Sequence, residues 1–149
     1  MKARKGFTLI ELLIVIGIIV LLAGVVIIAL NPARQFALAR NSQRWSNVNA
    51  ILNAVCQRMA ENKGVWNTSC GTSTVVMQAT STAIGDSGTN LALCLVPNYL
   101  ASMLMDPNGG ALGDTKYRIF QDSTTNRVTV DAPQGMVEIP GSDDIRVSR

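Results

Sequence analysis

Glu11 is the only charged residue in an apolar run that opens at Phe7 and reaches Leu30, and it lies four residues, one helical turn, after Phe7. An ionisable side chain inside a membrane-length helix costs about 2.5–3.5 kcal/mol on insertion scales, so it needs a partner. Cutting the chain after Gly6 would supply one. The α-amino group of Phe7 and the Glu11 carboxylate could then neutralise each other, within one chain or between staggered neighbours. A plain membrane anchor would instead let Glu11 snorkel to the headgroups.

The remaining reactive groups are few. Cys56, Cys70 and Cys94 are an odd number, so at most one intramolecular disulfide forms and one thiol is left over. Cys70 and Cys94 both fall in loop-rich sequence and are the candidate pair; Cys56–Cys70 is the rival. Asp106 with Asn108 and Asp114, and the turn carrying Asp143 and Asp144, offer oxygen ligands of the kind calcium takes, but without EF-hand spacing. Turn carboxylates commonly bond their own backbone instead. The chain has no histidine, which excludes His-ligated metal centres and Ser-His or Cys-His nucleophile pairs. With no acid–base constellation among the scattered carboxylates, the expectation is a protein that is not an enzyme and needs no cofactor, calcium being the one candidate.

The elements that must carry these groups follow from the hydropathy pattern. Leu12 to Leu30 holds no charge, and as a helix it spans roughly 28 Å, enough to cross a hydrocarbon core. Basic residues lie on both sides, Lys2, Arg4 and Lys5 before it and Arg34, Arg40 and Arg44 after it. The tight leader cluster favours a cytoplasmic N-terminus. The net charge of +3 comes from that leader: without it ten basic side chains face ten acidic ones, so no specific nucleic-acid partner is expected.

Asn31-Pro32 should kink or open the helix. Beyond it Trp45, Val48, Leu52, Val55 and Met59 recur at steps of three or four, an apolar stripe, with Arg34, Arg40, Arg44 and Arg58 as a solvated set. Asn62-Lys63-Gly64 ends that helix. Trp66 to Asn90 reads as exposed loop around one strand, Thr74 to Ala79. Pro97 to Met105 reads as a short helix closed by the Asp106–Gly110 turn. From Lys116 the period becomes two: Tyr117 and Ile119, Val128 and Val130, Val137 and Ile139, Ile145 and Val147, four short strands with a hairpin loop at Asp122–Asn126. One face of such a meander needs a cover, and the stripe supplies it. The fold class is α+β, a long N-terminal helix on a small antiparallel sheet. It divides into a leader (1–6), an apolar helix (7–31), an amphipathic helix (32–62) and a β-rich head (63–149).

Lys5-Gly6-Phe7-Thr8-Leu9-Ile10-Glu11-Leu12-Leu13-Ile14-Val15-Ile16 resembles the class III signal and N-terminal methylation motif of type IV pilins and type II secretion pseudopilins. The resemblance implies a pilin-like fold and cleavage between Gly6 and Phe7 by a membrane prepilin peptidase, which methylates the new Phe7 amine. It makes Glu11 the carboxylate that guides docking into a homo-oligomeric helical filament, raised by an inner-membrane platform and its ATPase. The destination is an extracellular pilus, serving adhesion, twitching motility or DNA uptake, or a periplasmic pseudopilus. More loosely, the chain from Asp106-Pro107 through Tyr117 and the strands after it resembles the carboxyl-terminal region of secretion-system major pseudopilins, in which a loop binds calcium. The reading from another class is a single-pass membrane protein with a small binding head, which would not be processed.

Overall fold

The computed structural model describes residues 6–149; the leader cations Lys2, Arg4 and Lys5 lie outside them. The chain forms two compact units that meet between Phe36 and Ala37.

The first unit is built on α1 (Leu9–Leu30), 22 residues with no buried side chain, about 33 Å at the rise of an α-helix. It ends at Asn31, whose backbone is left-handed (φ 42°, ψ 79°). Asparagine tolerates that conformation, and its carbonyl and side-chain oxygens both accept from the Arg34 N–H, at 3.0 and 3.4 Å. Pro32 then opens α2 (Pro32–Glu61), at the first helical position where the missing N–H would have had no partner.

The second unit packs α2 from Ala37 onward against a four-stranded antiparallel sheet of order β3-β4-β5-β6, comprising β3 (Thr82–Ala83), β4 (Arg118–Gln121), β5 (Val128–Asp131) and β6 (Arg146–Ser148). The register pairs Ile119 with Val130 and Val130 with Val147, which puts these three on one face. Facing them, Val48, Ile51, Leu52 and Val55 are fully buried, each contributing about 1.5–3 kcal/mol of apolar burial. A separate hairpin of β1 (Ser69–Cys70) and β2 (Ser73–Thr74) and the short helices α3 (Ala92–Leu95) and α4 (Gln134–Glu138) complete the head.

Several expectations are corrected. The buried stripe takes Ile51 and leaves Trp45 39% exposed. Val137 lies in α4, not in a strand: two alternating residues cannot distinguish period two from a helical turn, and Pro133 (φ −63°) opens the helix. The short helix precedes Pro97 rather than following it, because the residue before a proline is pushed out of helical backbone, and Val96 is extended (φ −97°, ψ 135°). The strand sought at Thr74–Ala79 shrinks to Ser73–Thr74. The Ser/Thr-rich stretch is not uniformly exposed, since Trp66, Val75, Met77, Ile84 and Thr89 are buried in it.

The largest correction concerns the arginines. Arg44 is fully buried. Its Nε and Nη2 donate to the two oxygens of Asp106 at 2.6 and 2.8 Å, and its Nη1 to Asn41 Oδ1 at 2.6 Å and Glu138 Oε2 at 3.0 Å. Arg40 joins at Glu138 Oε2 (2.8 Å), and Asn108 donates to the other Glu138 oxygen. Arg58 lies 5.3 Å from the centre of the Trp66 ring and donates to the carbonyls of Ser69, Asn67 and Cys94. Each of these three cations ties α2 to a distant part of the head: Arg44 to the Asp106 turn and α4, Arg40 to α4, and Arg58 to the segments at Asn67–Ser69 and Cys94. The Asp106 turn is so tight that a Cβ on Gly110 would fall 2.4 Å from the Asp106 nitrogen, hence the glycine.

Arg44 beside Glu138 pulls that carboxyl down to about 2 from its ordinary value of 4.5. A folded-state value below the unfolded one contributes stability that is complete above pH 4.5 and is lost as pH falls toward 2. Asp114, lowered by Lys116, and Asp122, lowered by the N–H groups of Thr125 and Thr124, act in the same direction. Urea unfolding of the full chain in detergent should therefore give a flat profile from pH 7 to 5 and a decline below about 4.5. Glu138→Gln should make that decline shallower; an unchanged decline would detach the effect from Glu138.

Candidate functional site

Gly6, Phe7 and Thr8 precede α1 without helical structure, and all three are exposed, Phe7 at 87%. Among the described residues, chain neighbours aside, no atom lies within 4 Å of where a Gly6 Cβ would stand, and Gly6 and Phe7 are both exposed. Thr8, with extended backbone (φ −84°, ψ 152°), is the N-cap of α1. Its side-chain oxygen accepts the Glu11 N–H at 3.3 Å, while its own N–H and hydroxyl donate to Glu11 Oε2 at 2.8 and 2.7 Å. This is a reciprocal capping box.

Thr8 is the residue that sequence reasoning missed. The signal was present, since Thr8-Leu9-Ile10-Glu11 fits the spacing of a capping box ahead of an apolar run. Its effect is to give the carboxylate two donors of its own chain, on one oxygen. Glu11 Oε1 accepts no hydrogen bond from a described residue. The sequence expectation set Glu11 against headgroups or the Phe7 amine; the capping box is a third arrangement, and it leaves one oxygen for a cation.

The other candidate residues lie in the head. Cys70 and Cys94 form a disulfide with Cα atoms 4.7 Å apart, and Cys56 is a free thiol. The weak calcium candidates are not brought together. Asp106 is committed to Arg44, Asp114 to Lys116 at 2.8 Å, and Asp144 lies 3.3 Å from Arg146. Among the described residues no three His, Cys, Asp or Glu side chains gather where they could hold a metal ion. The physical reason is competition: each of these three carboxylates is ion-paired to a basic side chain.

α1 is the one helix among the described residues long and apolar enough to cross a membrane. Comparison with protein families matches residues 1–27 to the prokaryotic N-terminal methylation motif. Comparisons with curated proteins and with solved structures return no match. The motif supports a type IV pilin-like or pseudopilin precursor and implies processing by a prepilin peptidase and membrane assembly. With an accessible Gly6–Phe7 bond ahead of a capped, membrane-length helix, the N-terminal segment of this chain is the class III signal of type IV pilins and pseudopilins.

Proposed function

We propose that this chain is the structural subunit of a type IV pilus. It inserts with its N-terminus in the cytoplasm, is cut between Gly6 and Phe7, is methylated on the Phe7 amine, and joins a helical filament through α1, driven by the assembly platform and its ATPase. Its role is structural, not catalytic. The observation that carries this reading is the exposed Gly6–Phe7 bond four residues before a carboxylate that keeps one oxygen unengaged. Once Phe7 is an amine, that oxygen can take the ammonium of a neighbouring subunit, and the apolar surface of α1 supplies the packing.

The disulfide that closes the segment from Cys70 to Cys94 fits a head exported from the cytoplasm, in a pilus or a pseudopilus alike. A pseudopilus is the second reading, supported by the likeness of the Asp106–Tyr117 region to major pseudopilins. Micrographs of sheared surface material, with mass spectrometry of the subunit, test both. Long filaments whose subunit begins at methylated Phe7 are expected; processed protein without external filaments would shift the assignment to the pseudopilus. An unprocessed N-terminus in a host with active prepilin peptidase would remove both in favour of a single-pass binding protein.

Glu11→Ala should leave insertion and cleavage intact and lower filament yield by more than about tenfold, because truncating one partner of a desolvated charge pair costs about 2–5 kcal/mol. Normal yield from that variant would count against the amine–carboxylate contact.

A further inference from the structure

Between residues 74–80, which leave β2, and the loop from β3 to α3, the head holds an open cavity of about 550 Å³. That volume falls inside the range of about 300–1,000 Å³ typical of small-molecule sites. Its polar lining is Thr74, Gln78, Thr80, Thr82, Thr89 and Asn90, and its apolar lining includes the half-exposed Val76 and Leu93. None of the described residues that line it is ionisable.

Both walls are pinned. On one side the Cys70–Cys94 disulfide closes the segment, Trp66 Nε1 donates to the Val75 carbonyl at 2.9 Å, and the Gln121 N–H donates to the Gln78 carbonyl at 2.9 Å. On the other, the Thr89 N–H donates to the Ala83 carbonyl at 2.8 Å, over a turn so close that a Cβ on Gly88 would fall 2.2 Å from the same oxygen. A ligand therefore meets a preformed recess.

The lining selects the ligand's chemistry. Among the described residues, the hydroxyls of Thr74 and Thr80 and both ends of the Gln78 amide make no hydrogen bond, and Asn90, whose Nδ2 donates to Asp86 at 2.6 Å, keeps its oxygen free. Thr82 donates its hydroxyl to the Ile119 carbonyl at 3.2 Å, so its 2.9 Å contact with Thr89 is a donation from Thr89, which is left as an acceptor. A charged ligand would leave water for a lining without a counter-charge, and a wholly apolar one would strand the amides and hydroxyls. Groups that both donate and accept, set around a carbon ring, satisfy this lining. An extended peptide does not, because β3 is an edge strand whose Ala83 carbonyl, which an added strand needs, is already taken.

We propose that this cavity binds a neutral oligosaccharide. The Gln78 and Asn90 amides and the Thr74 and Thr80 hydroxyls bond the sugar hydroxyls, and Val76 and Leu93 pack against the C–H faces of the rings. The site belongs to the head alone, so it stands or falls apart from cleavage, insertion and filament growth.

Titration calorimetry of the full chain, in a detergent without a sugar headgroup, tests it with neutral di- and trisaccharides of glucose, galactose, mannose and N-acetylglucosamine. At least one is expected to bind with a dissociation constant of about 1 mM or tighter. Gln78→Ala with Thr80→Val should weaken that sugar at least about tenfold, through the loss of two or three hydrogen bonds. Both side chains are exposed, so the urea midpoint of the double variant should match wild type. The sulfated form of the same sugar should bind at least about tenfold more weakly than the neutral form. Binding by none of these sugars, or a wild-type constant in the double variant, overturns the site. Preference for the sulfated sugar, or for a neutral tripeptide, overturns the ligand class. Each of these outcomes leaves the filament reading standing.

Discussion

A Gly6→Val precursor is expected to insert normally and to stay uncut, with mature product down by about a hundredfold, the order of loss that misplacing reacting groups by a bond length produces. The fold makes the experiment clean. Among the described residues a Cβ at Gly6 meets nothing within 4 Å beyond its chain neighbours, and the residue is exposed, so valine displaces no side chain of α1 or of the head. Any loss of cleavage then reflects crowding of the scissile bond inside the peptidase. Intact mass of the membrane-extracted chain reads the result. A mature subunit beginning at Phe7 from this variant, in amounts near wild type, would remove the role assigned to the glycine.

Arg44→Ala is expected to destabilise the head by about 3–5 kcal/mol, the range for breaking a buried ion pair from one side. The side chains of Arg44 and Asp106 are both fully buried, and truncating the arginine strands that carboxylate without water or a counter-charge. Glu138 is affected less because Arg40 still reaches it at 2.8 Å. Replacing both partners, Arg44→Met with Asp106→Leu, should recover most of the loss, since a well-packed apolar pair of similar volume is often neutral relative to the ion pair. Urea unfolding of the full chain in detergent measures both. A loss below about 1 kcal/mol for Arg44→Ala would mean that the pair sits in a far wetter setting than its burial indicates.

Reading by periodicity succeeded where the pattern was local and long. Val48, Leu52 and Val55 lie on the buried face as their spacing predicts, and β4, β5 and β6 fall on three of the alternating pairs. It failed where a neighbouring proline overrode it, as at Val137 and Ile139 after Pro133 and at the helix expected after Val96. The capping box of Thr8 and Glu11 is legible in four residues, but the same carboxylate is also a charge in a membrane-length helix, and only the geometry shows that it caps.

The sequence by itself determined the N-terminal segment, since Gly6, Phe7, Thr8 and Glu11 and the run to Leu30 act within one or two turns of each other. Nothing distant is needed to make an accessible bond, a cap and a membrane-length helix. Only the tertiary structure decided what the arginines of α2 do. Arg44 finds Asp106 and Glu138 at separations of 62 and 94 residues, and Arg40 finds Glu138 at 98. An arginine on a helix reads as solvated until the fold delivers a carboxylate to it, because the desolvation that burial costs is offset only by that partner.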